Sequence, residues 1–188
     1  GAFELGEVGR RFIDGRQPGR EAQLVNLAVG IAYNNHDVDD GRRSGLLTIE
    51  QLSEIHLFQE QCDIVNRAYP TLPQRRVIHE VVRRMINRQV ADLIETSTAR
   101  LTALGPQSLA DVRNAGQALL GFRAEMAEHN QRLQRFLRNH LSQHYKVRRM
   151  SPKAGPLIAS LLKAFIDDPT LLPPDSYYRM DTLDPLTR

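Results

Sequence analysis

The sequence predicts an all-α protein, a multi-helix bundle, and three observations support this prediction. Residues 74–104 carry apolar side chains at helical spacing, including Val77 and Val81, over a length far beyond that of a typical strand. Pro73 precedes this segment and Gly105 follows it, as expected at the two ends of a helix. No segment shows the alternation of apolar and polar residues that is typical of a strand, and no internal repeat is visible.

The elements before the long helix are predicted from their end signals. Residues 1–19 are rich in Gly and Arg without a clear period, so we expect an irregular lead-in. A first helix then runs from Arg20 to about Asp39, and Gly41 ends it. Thr48 followed by Gln51 fits a capping box, which predicts a short helix toward Leu57 and a second one through Val65.

The elements after the long helix follow similar signals. Ser108 with Asp111 three residues later predicts a helix start, whereas Gly116 and Gly121 predict an irregular stretch. Apolar spacing then predicts a helix over residues 123–145.

The C-terminal part is predicted to contain a basic turn, KVRRMSPK, and then one more helix near residues 155–166. Asp168 and Pro169 close that helix. The tail LLPPDSYYRM favours a turn and one short helix before a frayed end.

Composition limits the class of protein. The chain has 188 residues, of which 41% are hydrophobic and 25% charged, as in an ordinary globular protein. It contains no apolar run long enough to cross a membrane and no signal sequence at its start, so we expect a cytoplasmic location and no membrane partner. The single cysteine, Cys62, excludes an internal disulfide. The formal charge of +3 is compatible with a phosphate-bearing ligand or a nucleic acid.

The most informative residues lie on the first long helix, in the run AYNNHDVDDG. Residues four apart on a helix share a face, so Val29, Tyr33 and Asp37 form a column beside His36 and Asp40. A phenol and a carboxylate one turn apart can bind a ligand that bears hydroxyl groups. A tyrosine at the edge of the core and a solvated helix end are the structural alternatives for the same residues.

The run AYNNHDVDDG followed by SGLL resembles a helix of the bacterial dGTP triphosphohydrolase-like proteins of the HD-domain superfamily. The later segments VADLIETS, GFRAEMAEHNQRLQRFL and SLLKAFIDDPTLLP extend this resemblance over most of the chain. It implies the C-terminal part of an HD-domain dNTPase-like fold. We expect residues 1–47 to be the end of the HD-domain core, with the sugar-facing helix, and residues 48–188 to be a helical region packed on it.

The resemblance also implies roles for individual residues. Tyr33 and Asp37 match the positions that recognise the deoxyribose of a bound nucleotide. The position of a catalytic metal ligand is occupied by Val29, which has no lone pair to offer. The family uses a divalent metal such as Mg or Mn, but we expect none in this fragment and assign no catalytic residue to it. His36-Asp37 has the same two residue types as the His-Asp metal-binding pair that gives the superfamily its name, but it does not occupy the position of that pair. His140 and His144, one helical turn apart, are a second and weaker metal-binding candidate.

The resemblance implies hydrolysis of a dNTP, with dGTP the expected substrate, to the deoxynucleoside and triphosphate, in a protein that forms homo-oligomers. Arg75 and Arg76 are candidate triphosphate contacts, because guanidinium groups match phosphate oxygens; a solvated face is the alternative. The fragment alone is expected to be inactive. A different hypothesis is a non-catalytic helical module that binds nucleotide or nucleic acid, which the replacement at Val29 favours.

Overall fold

The structure is a computed structural model that describes residues 6–173. Within this range the chain forms helices and connecting segments without a strand, which confirms the all-α prediction. Two compact units are present, one ending at Leu141 and the other beginning at Ser142. The described helices are α1 (Gly6–Ile13), α2 (Arg20–Arg43), α3 (Ile49–Ser53), α4 (His56–Ala68), α5 (Gln74–Leu104), α6 (Leu109–Arg113), α7 (Ala124–Leu137) and α8 (Tyr145–Asp167), with a π-helical turn at Arg138–Ser142 and a 3-10 turn at Pro169–Leu171.

The long helix α5 organises the first unit, because α2 and α4 both pack along it. Its predicted apolar stripe is confirmed: Val81 and Met85 are fully buried. Burial of such side chains is the main driving force for folding, at about 25 cal/mol per Å² of apolar surface. The other fully buried members of this core are Val38, Leu47, Leu52, Leu57, Phe58, Val65 and Leu133.

A buried glutamine ties the irregular segment after α6 to the start of α2. The Oε1 atom of Gln23 accepts hydrogen bonds from the backbone N–H groups of Leu119 and Leu120 at 2.9 and 3.1 Å. Its Nε2 donates to the carbonyl of Pro18 at 2.8 Å. The backbone groups that it bonds have no hydrogen-bond partner within a helix, so the Gln23 side chain supplies the partners that regular secondary structure would otherwise provide.

Three of the predicted helix-end signals are confirmed. Thr48 and Gln51 form the expected capping box, and so do Ser108 and Asp111. Gly105 ends α5 in the left-handed conformation, with φ of 57°, which glycine adopts without strain.

Two predictions near the start of the chain are wrong. Within the stretch expected to be irregular, residues 6–13 form the helix α1. The first long helix does not end at Gly41 but continues to Arg43. Gly41 serves close packing instead of a turn: a Cβ atom there would lie 2.5 Å from Cδ1 of Leu47, whose side chain folds back onto the helix.

Three further boundaries differ from the prediction. The first short helix stops at Ser53, and the next begins at His56. The helix expected over residues 123–145 is α-helical only to Leu137. The last long helix starts at Tyr145, ten residues before the predicted start at 155, where the side chain of His144 caps it by accepting from the backbone N–H of Lys146.

Pro152 therefore lies inside α8, where the sequence had suggested a turn, and Pro156, expected near the start of the predicted helix, lies in the interior of α8. The tail helix predicted after Pro173 lies outside the described residues. The predicted division of the chain at residue 47 stays a prediction. Within the described part of the chain, none of the helices combines the length and apolar character needed to span a bilayer.

Candidate functional site

The predicted column of residues lies on the outer face of α2. Tyr33 is 68% exposed and Val29 is 45% exposed, whereas Ile31 and Val38, on the opposite side of the helix, belong to the buried face. The phenol of Tyr33 is thus directed away from the core of the described unit. This face is open to a ligand or to another part of a larger protein.

Asp37 is half-buried on the same face, and its surroundings disfavour the ionised form. Burial raises the pKa of its carboxyl group, the nearby charge of Asp40 raises it further, and His36 opposes the shift. Carboxylates in the last turns of a helix also oppose the helix dipole, so a positively charged partner for at least one of them is favourable. Asp39 has one, since Nη1 of Arg43 donates to its Oδ2 at 3.2 Å.

The described residues do not fit a catalytic metal at this face. Val29 offers no donor atom, and no group of three or more His, Cys, Asp or Glu side chains in the described ranges is arranged to hold a metal ion. The functional groups that this face does present to a ligand are the phenol of Tyr33 and the carboxylate of Asp37.

A basic cleft lies where the end of α2 meets the start of α5. Its volume is about 380 Å³, and its lining does not include Tyr33 or Asp37. Of the two arginines predicted to contact phosphate, Arg75 lines it. The lining residues of this basic cleft are Asp39, Arg42, Arg43, Gln74, Arg75, Ile78 and His79.

Arg76 lies elsewhere. It lines a neighbouring cavity of about 390 Å³ together with Tyr69 and Glu80. The structure therefore separates Arg75 from Arg76, because successive residues on a helix point about 100° apart. Sequence reasoning missed the contributions of Arg42, Arg43 and His79 to the basic cleft; the Arg42-Arg43 pair was the available signal.

The remaining candidate groups have local roles. His140 Nδ1 lies 3.0 Å from the carbonyl oxygen of Phe136, and His144 Nδ1 accepts from the backbone N–H of Lys146. Both ring atoms are thus engaged with nearby backbone. Cys62 is buried, and burial raises the pKa of its thiol, which disfavours the reactive thiolate.

The sequence of the chain is similar to one family model and to several curated proteins that share one name. A family model described as a phosphohydrolase-associated domain matches residues 120–184. The chain is 53% identical over 178 residues to a deoxyguanosinetriphosphate triphosphohydrolase-like protein of Thiobacillus denitrificans, covering 95% of this chain and 47% of that protein. It is 50% identical over 174 residues to a protein of the same name in Bordetella pertussis, covering 93% and 45%. The chain spans about half the length of the curated relatives it matches.

Proposed function

We propose that this chain, a relative of the deoxyguanosinetriphosphate triphosphohydrolase-like proteins, forms one side of a nucleotide site. This side, here called the sugar wall, consists of Tyr33 and Asp37 and faces the sugar of the nucleotide. The enzyme to which this wall would belong hydrolyses a dNTP, with dGTP the first candidate, to the deoxynucleoside and triphosphate. The observation that carries the proposal is the pair Tyr33 and Asp37, one helical turn apart on the exposed face of α2.

The chemistry of the pair suits a sugar. An ionised carboxylate only accepts hydrogen bonds, so Asp37 would accept one from a sugar hydroxyl. The Tyr33 phenol can donate to a sugar oxygen, and its ring provides a flat apolar surface for the sugar ring. Partial burial strengthens the bond that Asp37 makes, because a charge-assisted hydrogen bond is stronger where water is partly excluded.

A catalytic metal, Mg or Mn in the proposed enzyme, would be held by parts of a longer protein that this chain does not contain, since Val29 occupies the ligand position. The 188-residue chain alone should then turn over no dNTP and bind no catalytic metal tightly. The measurement is the release of triphosphate from dGTP in the presence of manganese. Release by this chain would contradict the proposal.

A thermal-melting series tests the sugar wall. We expect dGTP to raise the melting temperature in a saturable manner, since a ligand that binds only the folded state stabilises it by mass action. Asp37→Asn should reduce this increase, whereas Asp40→Asn, a change of the same kind outside the column that acts on Asp37 only through its charge, should alter it far less. Equal responses of the two variants would count against the assignment.

The proposed enzyme would also be a homo-oligomer. Apolar side chains of α8, including Leu157, Leu161 and Ile166, are 48 to 71% exposed in the described chain, and such surface is commonly covered by a partner. Size-exclusion chromatography of wild type and Leu161→Glu tests this: a second copy on α8 predicts that the variant elutes as a smaller species.

A second candidate function, a non-catalytic module that binds nucleotide or nucleic acid, is favoured by Val29 at the ligand position and by the basic cleft. It predicts binding of single-stranded DNA that weakens steeply with salt and shows no preference for dNTPs. Saturable protection by dGTP at physiological salt would favour the enzyme instead.

A further inference from the structure

Three amide side chains inside the first unit carry polar atoms without a protein partner. Asn35 and Gln89 are fully buried, and Asn130 is 7% exposed. Within the part of the chain that the structure describes, Oδ1 of Asn35, Oε1 of Gln89 and both polar atoms of Asn130 form no hydrogen bond. The nitrogens of Asn35 and Gln89 donate to the carbonyls of Ile31 and Met85, at 2.7 and 2.9 Å, so each oxygen is the free end. Buried polar groups in native proteins are nearly always paired, so these four atoms require a further partner.

The carbonyls that hold the first two amides lie at one level of the bundle. Oδ1 of Asp39, near the end of α2, is 3.8 Å from Nδ1 of His79, near the start of α5, and the two helices run antiparallel from there. Ile31 is eight residues before Asp39, and Met85 is six residues after His79. At 1.5 Å per residue these separations are about 12 and 9 Å, which places both carbonyls within about one helical turn of each other along the bundle.

The helix α7 brings Asn130 to the same level. At its start the backbone N–H of Arg123 donates to Oδ1 of Asp92 at 2.9 Å, and beyond its other end Leu141 lies beside the last turn of α2. α7 therefore runs antiparallel to α5. Asn130 is seven residues after Arg123, and Met85 is seven residues before Asp92, so the two lie opposite each other.

This level separates the two apolar clusters of the unit. On α2, Leu27 packs against the smaller cluster and Val38 belongs to the main one, with Asn35 between them. On α5, Gln89 follows the last residue of the main cluster and precedes Leu101, which packs against the smaller one. A polar level between apolar clusters allows few alternative packings, because any shift of one helix would leave its amides unpaired.

We propose that Asn35, Gln89 and Asn130 form an amide layer that binds an internal water molecule and fixes α2 against α5 and α7. The free atoms are three oxygens and one amino nitrogen. The two hydrogens of that nitrogen can serve the oxygens of Asn35 and Gln89, which leaves the oxygen of Asn130 without a donor. A water molecule supplies this donor and makes about three hydrogen bonds at such a site. A cation fits less well, because the three side chains are neutral and its buried charge would be unpaired.

The amide layer also bears on the outer face of α2. Asn35 is two residues from Tyr33 and two from Asp37, and residues two apart on a helix point about 200° apart. Holding Asn35 in the layer therefore directs both of these side chains outward, which makes Asn35 and its partners positioning residues for that face. The layer does not depend on nucleotide binding, so its failure and that of the sugar wall are distinguishable.

The first experiment is a double-mutant cycle on the unfolding equilibrium, followed by urea denaturation. Asn35→Ala and Asn130→Ala should each raise the unfolding constant about tenfold. The double variant should raise it about thirtyfold instead of about a hundredfold, because members of one network are not additive. Gln23→Ala, which removes a buried amide outside the layer, should be additive with Asn130→Ala. Additivity of Asn35→Ala and Asn130→Ala would overturn the proposal.

The second experiment detects the water in the wild type and needs no variant to fold. NOESY and ROESY spectra of the ¹⁵N-labelled chain should show cross peaks between water and the side-chain amide protons of Asn130, with opposite signs in the two spectra, as for a long-lived bound water. The exposed Asn66 is the control and should lack them. Wild-type spectra without such cross peaks at Asn130 would contradict a bound water.

The third measurement tests the positioning role. Asn130→Ala changes no residue of α2, yet it should shift the backbone amide signals of Tyr33 and Asp37. Asn130→Ser keeps a donor and an acceptor, so it should shift them less, and Asn66→Ala should leave them in place. If the alanine and serine variants at position 130 shift these signals equally, or if neither does, the amide layer does not position α2.

Discussion

Gly41→Ala places a methyl group in a space that Leu47 already fills. The new Cβ would lie 2.5 Å from Cδ1 and 2.8 Å from Cγ of Leu47. Leu47 is 1% exposed and belongs to the main core, so its side chain has no free volume into which it can move. The backbone N–H groups of Leu46 and Leu47 both donate to the carbonyl of Gly41, so the loop cannot simply swing away.

The sign of the effect follows from two opposing magnitudes. Alanine is favoured over glycine inside a helix by about 1 kcal/mol. Overpacking a well-filled core costs about 1–3 kcal/mol. We therefore expect Gly41→Ala to lower the free energy of unfolding by about 1 kcal/mol.

Gly30→Ala is the matched control, because Gly30 lies on the same helix and an added Cβ there meets nothing within 4 Å. It should raise the free energy of unfolding by about 0.5–1 kcal/mol. Urea denaturation followed by circular dichroism measures both changes. A stabilising effect of Gly41→Ala equal to that of Gly30→Ala would refute the packing explanation for Gly41.

Three other changes test further parts of the account. Hydrogen bonds from Arg83, and also from Arg84, lower the pKa of Glu80 to about 2. The wild type should therefore lose stability relative to Glu80→Gln as the pH falls from about 4.5 toward 2. Denaturation midpoints of the two proteins across that pH range test this loss. Burial raises the pKa of Asp37, so Asp37→Asn should slightly stabilise the protein at neutral pH. This advantage should fade below the ordinary aspartate pKa, and thermal melts at pH 7 and pH 3 compare the two. Gln23→Ala leaves two backbone N–H groups without an acceptor, so it should cost about 2 kcal/mol in urea denaturation, and a loss below a few tenths would contradict that role.

The features that the sequence predicts well are those encoded locally. The capping boxes at Thr48 and Ser108 depend on residues three apart, and the end of α5 depends on Gly105 alone. The resemblance carried by AYNNHDVDDG is likewise local, and it directs attention to Tyr33 and Asp37.

The features that it predicts poorly depend on distant contacts. Gly41 has the chemistry of a helix stop, but the reason for a glycine there is the side chain of Leu47. The basic cleft combines the end of one helix with the start of another, so neither Arg42 nor His79 could be assigned to it from spacing along the chain. Arg75 and Arg76 are adjacent in sequence and yet line different cavities.

The most direct test of the sugar wall is a two-dimensional NMR titration of the ¹⁵N-labelled chain with dGTP and with its 2′,3′-dideoxy analogue. Both nucleotides carry the same base and triphosphate, so a site built for the sugar hydroxyl must distinguish them. We predict that dGTP shifts the amide signals of Tyr33 and Asp37 and that the dideoxy analogue shifts them far less. If the two nucleotides shift these signals equally, or if dGTP leaves the outer face of α2 unchanged, the central claim is contradicted.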